Sequence, residues 1–308
     1  MFEPERLREI IGELAEQLQP LNRGTRYGAV EDVLTIVDGT LLKTLPQITQ
    51  ASFDQQQRVG ARDGWRLHTH FEVLRGVPVR MDLTDGRNRA DSNEKQVLRR
   101  NLQADRCYVT DRGYEQFSLF NAIVDADSSY VCRIRNDRHF EVEQIRPLSE
   151  EAVAAGVLED GVGRLGSPKS VRIEHPHHPV RVVRVKLTPH PKRAGRRRAA
   201  GSQELVLATN LLEVPAEVIA LIYRHRWTIE IFFRFFKHVL GCRHLLSDDP
   251  VGIEIQTYCA IIACMLISLW TGRKPTLRTY EMICYYFIGL ADEEELLAHI
   301  EKLKPHVV

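Results

Sequence analysis

The stretch YRHRWTIEIFFRFFK, residues 223–237, places charged side chains in an otherwise apolar segment. At about 100° per residue, one continuous helix would bring its polar side chains into a single sector of about 80°. The polar side chains of that sector are Tyr223, Arg226, Glu230, Arg234 and Lys237. Because Pro215 suits a first helical turn and Gly241 a helix end, we expect one helix from Pro215 to about Leu240.

Two explanations of this polar stripe are open. In a salt-bridge ladder, Glu230 would pair with Arg226 and with Arg234, and each pair would contribute about 0.2 to 0.5 kcal/mol. In a groove for an anionic ligand, the cations would bind the ligand, which better explains charges on a helix that is mostly enclosed. Glu230 is then the single acid among three cations, and its role needs a separate explanation.

Two predicted strands deliver an aspartate at or near their ends. DVLTIVDGT is a buried strand that reaches Asp38 and is bounded by Gly39, and RCYVTD is a second strand that closes on Asp111. Taken singly, each aspartate is as typical of a loop as of a metal site. Together with Glu230 they would supply the hard oxygen ligands that Mg²⁺ prefers. In that case we expect the three carboxylates within about 4 to 7 Å of one another, around two ions.

The rest of the chain alternates helical and strand patterns. The predicted elements are a helix over 3–18, a hairpin of WRLHTHFEV and VRMDL, a helix from a capping box at Asp91 and Glu94 to Leu102, a helix with Phe117, Phe120, Asn121 and Val124 at helical spacing, a strand from Ser128, a strand in RVVRVKL and a strand in QELVLATNLL. Residues 140–203 are rich in Pro, Gly, His and Arg with short strand-like pieces, so we expect an inserted β-rich segment there.

Length and composition indicate a soluble globular protein. The chain has 308 residues with 44% hydrophobic content, enough for one large domain or two ordinary ones. The N-terminus lacks the apolar run of a signal peptide, so we expect a cytoplasmic protein. The apolar run Ile255–Trp270 is shorter than the roughly 20 residues of a membrane span and predicts a buried helix. The six cysteines show no CxxC spacing, which favours reduced core thiols over zinc or disulfides.

Charge is distributed unevenly although the net charge is only +1. The segment 181–198 holds eight Lys or Arg residues and no acid, which suits either a phosphate-binding surface or a solvated loop. The histidines of EHPHHP are more typical of a surface loop than of a metal site. Trp227 could stack on a nucleic-acid base or belong to the core.

The pattern Tyr223, Arg226, Glu230, Lys237 is similar to the YxxRxxxExxxxxxK signature of bacterial insertion-sequence transposases of the DDE class, insertion sequence family four. IVDGT around Asp38 and YVTDRGY around Asp111 resemble the other two acidic motifs of that family. The resemblance spans about residues 30–270 and rests on four fixed residue types over fifteen positions.

The resemblance implies an α/β fold of the ribonuclease-H-like type, a mixed sheet flanked by helices. A β-rich subdomain would be inserted before the helix with the catalytic Glu. We therefore expect an N-terminal helical segment at 1–30, a catalytic domain made of 31–139 and 204–308, and the insert at 140–203. Because the family usually has a longer region before the first Asp, the N-terminal segment is expected to be shortened.

By the same resemblance, Asp38, Asp111 and Glu230 would be catalytic and would coordinate two Mg²⁺ ions, which Mn²⁺ could replace. The residues expected to contact DNA are Tyr223, Arg226, Lys237, Arg234, Arg193, Arg196, Arg197 and Arg198. The implied function is cleavage of double-stranded DNA at transposon ends followed by strand transfer, by a homodimer near the nucleoid and away from membranes. Alternatives are a metal-dependent nuclease without strand transfer and a non-catalytic DNA-binding remnant.

Overall fold

The computed structural model describes residues 3–18, 27–44, 64–85, 93–167, 174–186, 204–238, 244–245, 249–272, 277–287 and 289–303. The chain divides into two compact units. The first unit contains residues 1–22, 38–94 and 228–308, and the second contains 23–37 and 95–227. Each unit is described by itself below.

The helices and strands in the described part of the chain are α1 (Pro4–Gln17), β1 (Val33–Thr44), β2 (Gly64–Glu72), β3 (Val77–Asp85), α2 (Glu94–Arg100), β4 (Arg106–Thr110), α3 (Phe117–Asp125), β5 (Ser129–Ile134), β6 (Phe140–Ile145), α4 (Glu150–Ala154), β7 (Val157–Leu165), β8 (Val180–Lys186), β9 (Glu204–Thr209), α5 (Ala216–Arg224), α6 (Trp227–His238), β10 (His244–Leu245), α7 (Pro250–Thr271), α8 (Leu277–Phe287) and α9 (Glu293–Glu301). A 3-10 turn, Arg112–Tyr114, follows β4.

The second unit is built on a mixed sheet. The first residues of β1 pair in parallel with β4, and β4 pairs in parallel with β5. Beyond β5 the sheet continues antiparallel through β9, β8, β7 and β6. The strands β4 and β5 are almost wholly buried, as expected for parallel strands covered by helices. The predicted α/β class, a mixed sheet flanked by helices, is confirmed, and its assignment to the ribonuclease-H-like type stays a prediction.

Helix α3 covers this sheet because its apolar residues recur at helical spacing. Phe117 and Phe120 are buried in the main core cluster of the second unit. The ring of Phe120 stacks on that of Tyr130 in β5, with 4.4 Å between the ring centroids. Burial of each such ring stabilises the fold by about 1.5 to 3 kcal/mol, so α3 holds the strand that lies next to β4.

The first unit contains the β2–β3 hairpin, which confirms the predicted one. Helix α1 packs against α7, and the guanidinium of Arg8 donates a hydrogen bond to the Tyr258 hydroxyl at 3.0 Å. Helix α6 packs on β2, where the rings of Phe232 and Phe71 lie 5.5 Å apart. The last residues of β1 pair in parallel with β10. The packing of α6 on the hairpin positions Glu230 within this unit.

Helix α7 is longer and more exposed than the sequence predicted. It runs over Pro250–Thr271, and the stretch Val251–Trp270 is long and apolar enough to cross a membrane by length and composition. One such helix is weak evidence for a span, because core helices can pass the same test. The helix buries one side and exposes Leu266 and Trp270 on another, so the prediction of a buried helix is correct for one face only.

Two further predictions of local structure are wrong. The polar stripe does not lie on one helix, because α5 ends at Arg224 and α6 begins at Trp227. The amides of His225 and Arg226 bond to carbonyls three residues back, which breaks the helical register. Strand β1 does not end at Gly39 but continues to Thr44, so Asp38 lies in mid-strand.

Strands β6, β7 and β8 come from the segment predicted as an inserted β-rich subdomain. They belong to the second unit and extend the same sheet beyond β9. The domain division at 1–30, 31–139 with 204–308, and 140–203 stays a prediction. Helix α2 ends at Arg100 rather than Leu102, and Asp91 lies outside the described residues.

Candidate active site

Asp111 stands at the carboxyl end of β4, as predicted. Strand β4 is buried through Thr110, and the chain then turns at the surface. The Asp111 Oδ1 accepts a hydrogen bond from the Gly113 amide at 2.7 Å and caps the 3-10 turn. A Cβ at position 113 would lie 2.9 Å from the same oxygen, so glycine suits the turn. Asp111 thus has one oxygen fixed by the backbone and Oδ2 available to another partner.

Tyr223 lies in the last full turn of α5 and is buried. Burial raises the pKa of its phenol to about 12, while the charges of Arg226 and Arg133 lower the pKa and those of Cys132 and Asp111 raise it. These groups therefore lie near the phenol within the second unit. At neutral pH Tyr223 is a hydroxyl that can donate a hydrogen bond, and it is a poor nucleophile.

Arg226 and Trp227 follow Tyr223 closely in the sequence, and their side chains contact each other. The Arg226 guanidinium lies 5.5 Å from the centroid of the Trp227 ring, a cation–π contact. Trp227 is 48% exposed, which excludes it from the core and leaves its ring accessible. An accessible indole beside a guanidinium suits a nucleic-acid ligand better than a core position.

Arg133, on β5, is a neighbour that the sequence patterns did not single out. It is half-buried, its charge acts on Tyr223, and its Nε is buried without a hydrogen-bond partner among the described residues. Its signal in the sequence is one arginine within the apolar strand SYVCRI. A half-buried guanidinium near Tyr223 is suited to an anion.

Asp38 lies in the first unit, in mid-strand of β1. Its Oδ1 accepts a hydrogen bond from the amide of Gly39 at 2.8 Å. As at Asp111, a backbone amide orients one carboxylate oxygen. Both predicted aspartates are thus half-buried and held by a glycine amide one or two residues later.

Helix α6 carries Glu230, Arg234 and Lys237 in the first unit. Glu230 and Lys237 are half-buried and Arg234 is exposed. Arg234 forms no ion pair with any residue that the structure describes, so the Glu230–Arg234 step of the salt-bridge ladder is absent. Ile231 is also exposed. The exposed residues of α6 lie on one narrow face, and its other described positions are buried or half-buried, so the expectation that the helix is enclosed on most of its circumference is confirmed.

Within the described ranges, no three His, Cys, Asp or Glu side chains are grouped to hold a metal ion. Asp38 and Glu230 belong to the first unit and Asp111 to the second. The convergence of the three carboxylates stays a prediction. The donor chemistry fits a hard cation, because all three residues offer carboxylate oxygens and Asp111 keeps Oδ2 after capping its turn.

The basic segment 181–198 is only partly described, and its described arginines are not a phosphate surface. Arg181 is 1% exposed and forms a two-bond ion pair with Asp160. Arg184 pairs with Glu159 and Glu204. The predicted DNA contacts at Arg193 and Arg196–Arg198 lie outside the described residues.

The histidines of EHPHHP lie against α3 rather than in a free loop. Asn121 donates to Glu174 Oε1 at 2.8 Å and accepts from the His177 amide at 3.1 Å. The Nε2 of His178 is 3.1 Å from the Tyr130 hydroxyl. Burial, then the neighbouring His177, lowers the pKa of His178 to about 4. The segment is therefore a loop packed on the second unit, and these contacts explain it structurally.

The described cysteines fit the predicted reduced thiols in part. Cys107, Cys132 and Cys264 are buried, whereas Cys259 is exposed. Burial raises the pKa of Cys107 to about 12 and that of Cys132 further. Such thiols stay protonated and unreactive at neutral pH.

Comparison with known proteins adds a family match over most of the chain. Residues 30–266 match the family model of the transposase DDE domain. Among curated proteins, one relative is y4zB of Sinorhizobium fredii, a protein named as a transposase. The two sequences are 26% identical over 208 residues, which cover 67% of this chain and 53% of that protein. This chain is 26% identical to a transposase named for insertion sequence element IS5377 of Geobacillus stearothermophilus, covering 68% of this chain and 50% of that protein.

It is also 24% identical to the transposase of insertion sequence element IS421 of Escherichia coli, covering 68% of this chain and 61% of that protein. Among solved structures, a piggyBac transposase synaptic complex with hairpin DNA covers 89% of this chain and 58% of that chain, with a TM-score of 0.37 and 9% identity. The chain spans about half the length of the first two relatives. Because the family model covers well over half of this sequence and includes Asp38, Asp111 and Glu230, the chain belongs to the transposase DDE domain family.

Proposed function

We propose that this chain is the catalytic part of an insertion-sequence transposase that cleaves double-stranded DNA at the ends of its element and transfers the freed strand to a target. The observation that carries the proposal is the group formed in the second unit by Asp111, Tyr223 and Arg226. It places a carboxylate fixed by a backbone amide near a buried phenol and a guanidinium, in a chain of the transposase DDE family.

In this proposal Asp38, Asp111 and Glu230 are the acids that hold divalent cations. Two Mg²⁺ ions, which Mn²⁺ could replace, supply charge stabilisation at the attacking and leaving oxygens when bound. The chain's own contribution is to orient the carboxylates. The amides of Gly39 and Gly113 each fix one oxygen of the neighbouring aspartate, which leaves less side-chain freedom to be lost on cation binding.

The basic and hydroxyl side chains of the signature would bind the DNA backbone. Tyr223 keeps its proton and donates a hydrogen bond to a phosphate, because its pKa is raised to about 12. Arg226 offers a guanidinium beside an exposed indole. The other proposed phosphate contacts are Lys237, Arg234, Arg193, Arg196, Arg197 and Arg198. Arg133 joins this set on its position near Tyr223.

Finer features of the proposal follow from the signature and from the names of the relatives. We place the chain in insertion sequence family four, with its β-rich segment at 140–203 as a subdomain of the catalytic domain. Paired-end chemistry favours a homodimer on DNA. Work on chromosomal DNA implies a cytoplasmic protein associated with the nucleoid and not with a membrane.

The test uses the purified 308-residue chain and a plasmid that carries the terminal sequences of the element encoding it. With Mg²⁺ or Mn²⁺ we expect cleaved ends and joined target products, separated on a gel. Asp38→Asn, Asp111→Asn and Glu230→Gln should each abolish both products, because each change removes a carboxylate charge but keeps the side chain's size. Gly12→Ala is a suitable control, since a Cβ at position 12 meets no atom within 4 Å.

Two outcomes would replace the proposal with an alternative. Cleavage without any joined product would identify a metal-dependent nuclease. Salt-dependent DNA binding without turnover in either metal would identify a non-catalytic DNA-binding protein. A Glu230→Gln variant that cleaves as well as the unaltered chain would remove Glu230 from the proposed site.

A further inference from the structure

Gly39, the residue after Asp38, lies directly against the side chain of Glu94 at the start of α2. A Cβ built at position 39 would be 2.6 Å from Glu94 Oε1 and 3.2 Å from Glu94 Cδ. Atoms do not approach so closely, so any residue other than glycine would displace the carboxylate of Glu94. The φ angle of Gly39 is not positive. The absence of a side chain at position 39 therefore leaves room for the Glu94 carboxylate where it now lies, and backbone conformation does not call for glycine.

The Glu94 carboxylate is held in place from its other side by Arg66 of β2. The Nη1 of Arg66 donates to Glu94 Oε1 in a charge-assisted hydrogen bond. The two side chains are 15% and 23% exposed, so water screens this ion pair less than a fully exposed one. The Arg66 Nε is buried and has no hydrogen-bond partner among the described residues. The carboxylate is thus the anchor of this guanidinium.

These contacts form a short path to Asp38 inside the first unit. Arg66 fixes Glu94, and the Glu94 carboxylate packs against the backbone of Gly39. The amide of Gly39 in turn donates to Asp38 Oδ1 at 2.8 Å. Groups that orient a ligand in this way typically change metal affinity or activity about 10- to 100-fold when they are removed.

We propose that the Glu94–Arg66 pair is a positioning element for Asp38, acting through the β1 backbone. The inference rests on the proposed function, in which Asp38 binds a divalent cation. It assigns no ligand role to Glu94, because the oxygen nearest to β1 is already bound by Arg66. It also explains why the acidic motif IVDGT has glycine directly after its aspartate.

The test measures Mn²⁺ binding to the full 308-residue chain by electron paramagnetic resonance in the absence of DNA. The variants are Glu94→Gln, Arg66→Met and Gly39→Ala, with Gly12→Ala as the matched control. We expect each of the first three to weaken binding about tenfold and the control to bind as the unaltered chain does. The double variant Glu94→Gln/Arg66→Met should be no weaker than either single variant, since both break the same pair.

The effect of Arg66→Met separates positioning from simple electrostatics. If Glu94 acted only by its charge or as a direct ligand, removing the arginine would raise the local negative potential and tighten Mn²⁺ binding. Positioning predicts the opposite sign. Tighter binding by Arg66→Met, or unchanged binding by both Glu94→Gln and Gly39→Ala, would overturn the proposal.

A second readout does not need the metal. Hydrogen exchange of the peptide 36–42 should be faster in Glu94→Gln and Gly39→Ala than in the control, because the Gly39 backbone is less constrained. Unchanged exchange in both variants would also overturn the proposal. The Asp38→Asn variant tests the metal-binding role of Asp38 separately from the positioning role of the Glu94–Arg66 pair. If the unaltered chain binds Mn²⁺ no better than Asp38→Asn, the proposed metal-binding role of Asp38 fails. Hydrogen exchange then still decides whether the pair positions the β1 backbone.

Discussion

The Oδ1 of Asp111 accepts a hydrogen bond from the Gly113 amide at 2.7 Å, so the same carboxylate caps a turn and is available as a ligand. Because of this double role, substitutions at position 111 can remove the carboxylate charge with or without removing the cap of the turn. Asn at position 111 can still accept the amide bond through its Oδ1, whereas Ala cannot. Loss of the cap costs about 1 kcal/mol.

For Asp111 we therefore expect two distinct variants. Asp111→Asn should lower DNA cleavage by more than about 100-fold, because a cation ligand contributes several kcal/mol, with unfolding free energy nearly unchanged. Asp111→Ala should lose the same activity and about 1 kcal/mol of stability. Cleavage assays and urea unfolding measure the two quantities. Equal stability loss in both variants would contradict the capping role.

Tyr223 is expected to act as a hydrogen-bond donor throughout the neutral pH range. Its pKa is raised to about 12, first by burial, so its charge does not change below about pH 11. Tyr223→Phe removes the hydroxyl only and should lower cleavage about 10- to 100-fold, the value of a hydrogen bond to a charged group. A cleavage pH profile that changes shape between pH 7 and 10 on Tyr223→Phe would show that the phenol ionises instead.

The buried ion pair of Arg181 and Asp160 is expected to be a large stability determinant. The Nη1 of Arg181 also donates to the carbonyls of Leu211 and Leu212 at 3.1 Å, in the segment that leads into α5. Arg181→Met leaves Asp160 as an uncompensated buried charge, at a cost of about 3 to 5 kcal/mol in urea unfolding.

Arg181→Met/Asp160→Leu removes both charges and should recover part of that loss. Arg184→Met is the matched control on the same strand, because its partner Glu159 is 71% exposed and the pair contributes less than about 1 kcal/mol. Equal losses for the Arg181 and Arg184 variants would show that burial of the pair is unimportant.

His178 is expected to make stability depend on pH below neutrality. Its pKa is lowered in the folded chain from 6.5 to about 4, chiefly by burial. The unfolded chain then binds a proton that the folded chain does not, so stability falls as pH drops from about 6.5 to about 4. His178→Gln should reduce this fall in the urea midpoint, while the exposed His139→Gln should not. An equal fall in all three chains would exclude His178 as a cause.

Thiol accessibility gives a direct check of the fold. Cys259 is exposed, and Cys107, Cys132 and Cys264 are buried. In the native protein, iodoacetamide should modify Cys259 quickly and the three buried thiols only after unfolding, as read by peptide mass spectrometry. A raised pKa at Cys107 and Cys132 slows their reaction further. Rapid native labelling of Cys107 would contradict the packing of β4.

Local patterns in the sequence predicted most of the strands and helices correctly. The alternation of apolar and polar residues in WRLHTHFEV predicted a strand of the hairpin, and apolar residues at helical spacing around Phe117 predicted α3. The break between α5 and α6 was missed because the apolar periodicity passes through His225 and Arg226 without Gly or Pro. Strand β1 was ended too early because Gly39 was interpreted as a boundary, whereas within the strand it makes room for a side chain distant in sequence, Glu94.

The sequence predicted the strand position of Asp111 but not the side chains that surround the candidate site residues, and the roles of those residues stay predictions. Asp111 was expected at a strand end and lies there. Arg133 was not expected, because one arginine in an apolar strand has no local signature. Arg181 was expected in a phosphate-binding surface or a solvated loop but is buried, because its partner Asp160 lies on another strand. Pairing between distant segments is the information that periodicity lacks.

The bonds of Arg181 to the chain before α5 also bear on protein engineering. Exchanging the β6–β8 region for that of a relative would graft foreign strands beneath the helix that carries Tyr223. Such a chimera must retain a guanidinium facing the carbonyls of Leu211 and Leu212, together with an acid to neutralise it. Donor regions that lack this couple would be incompatible, however similar their length.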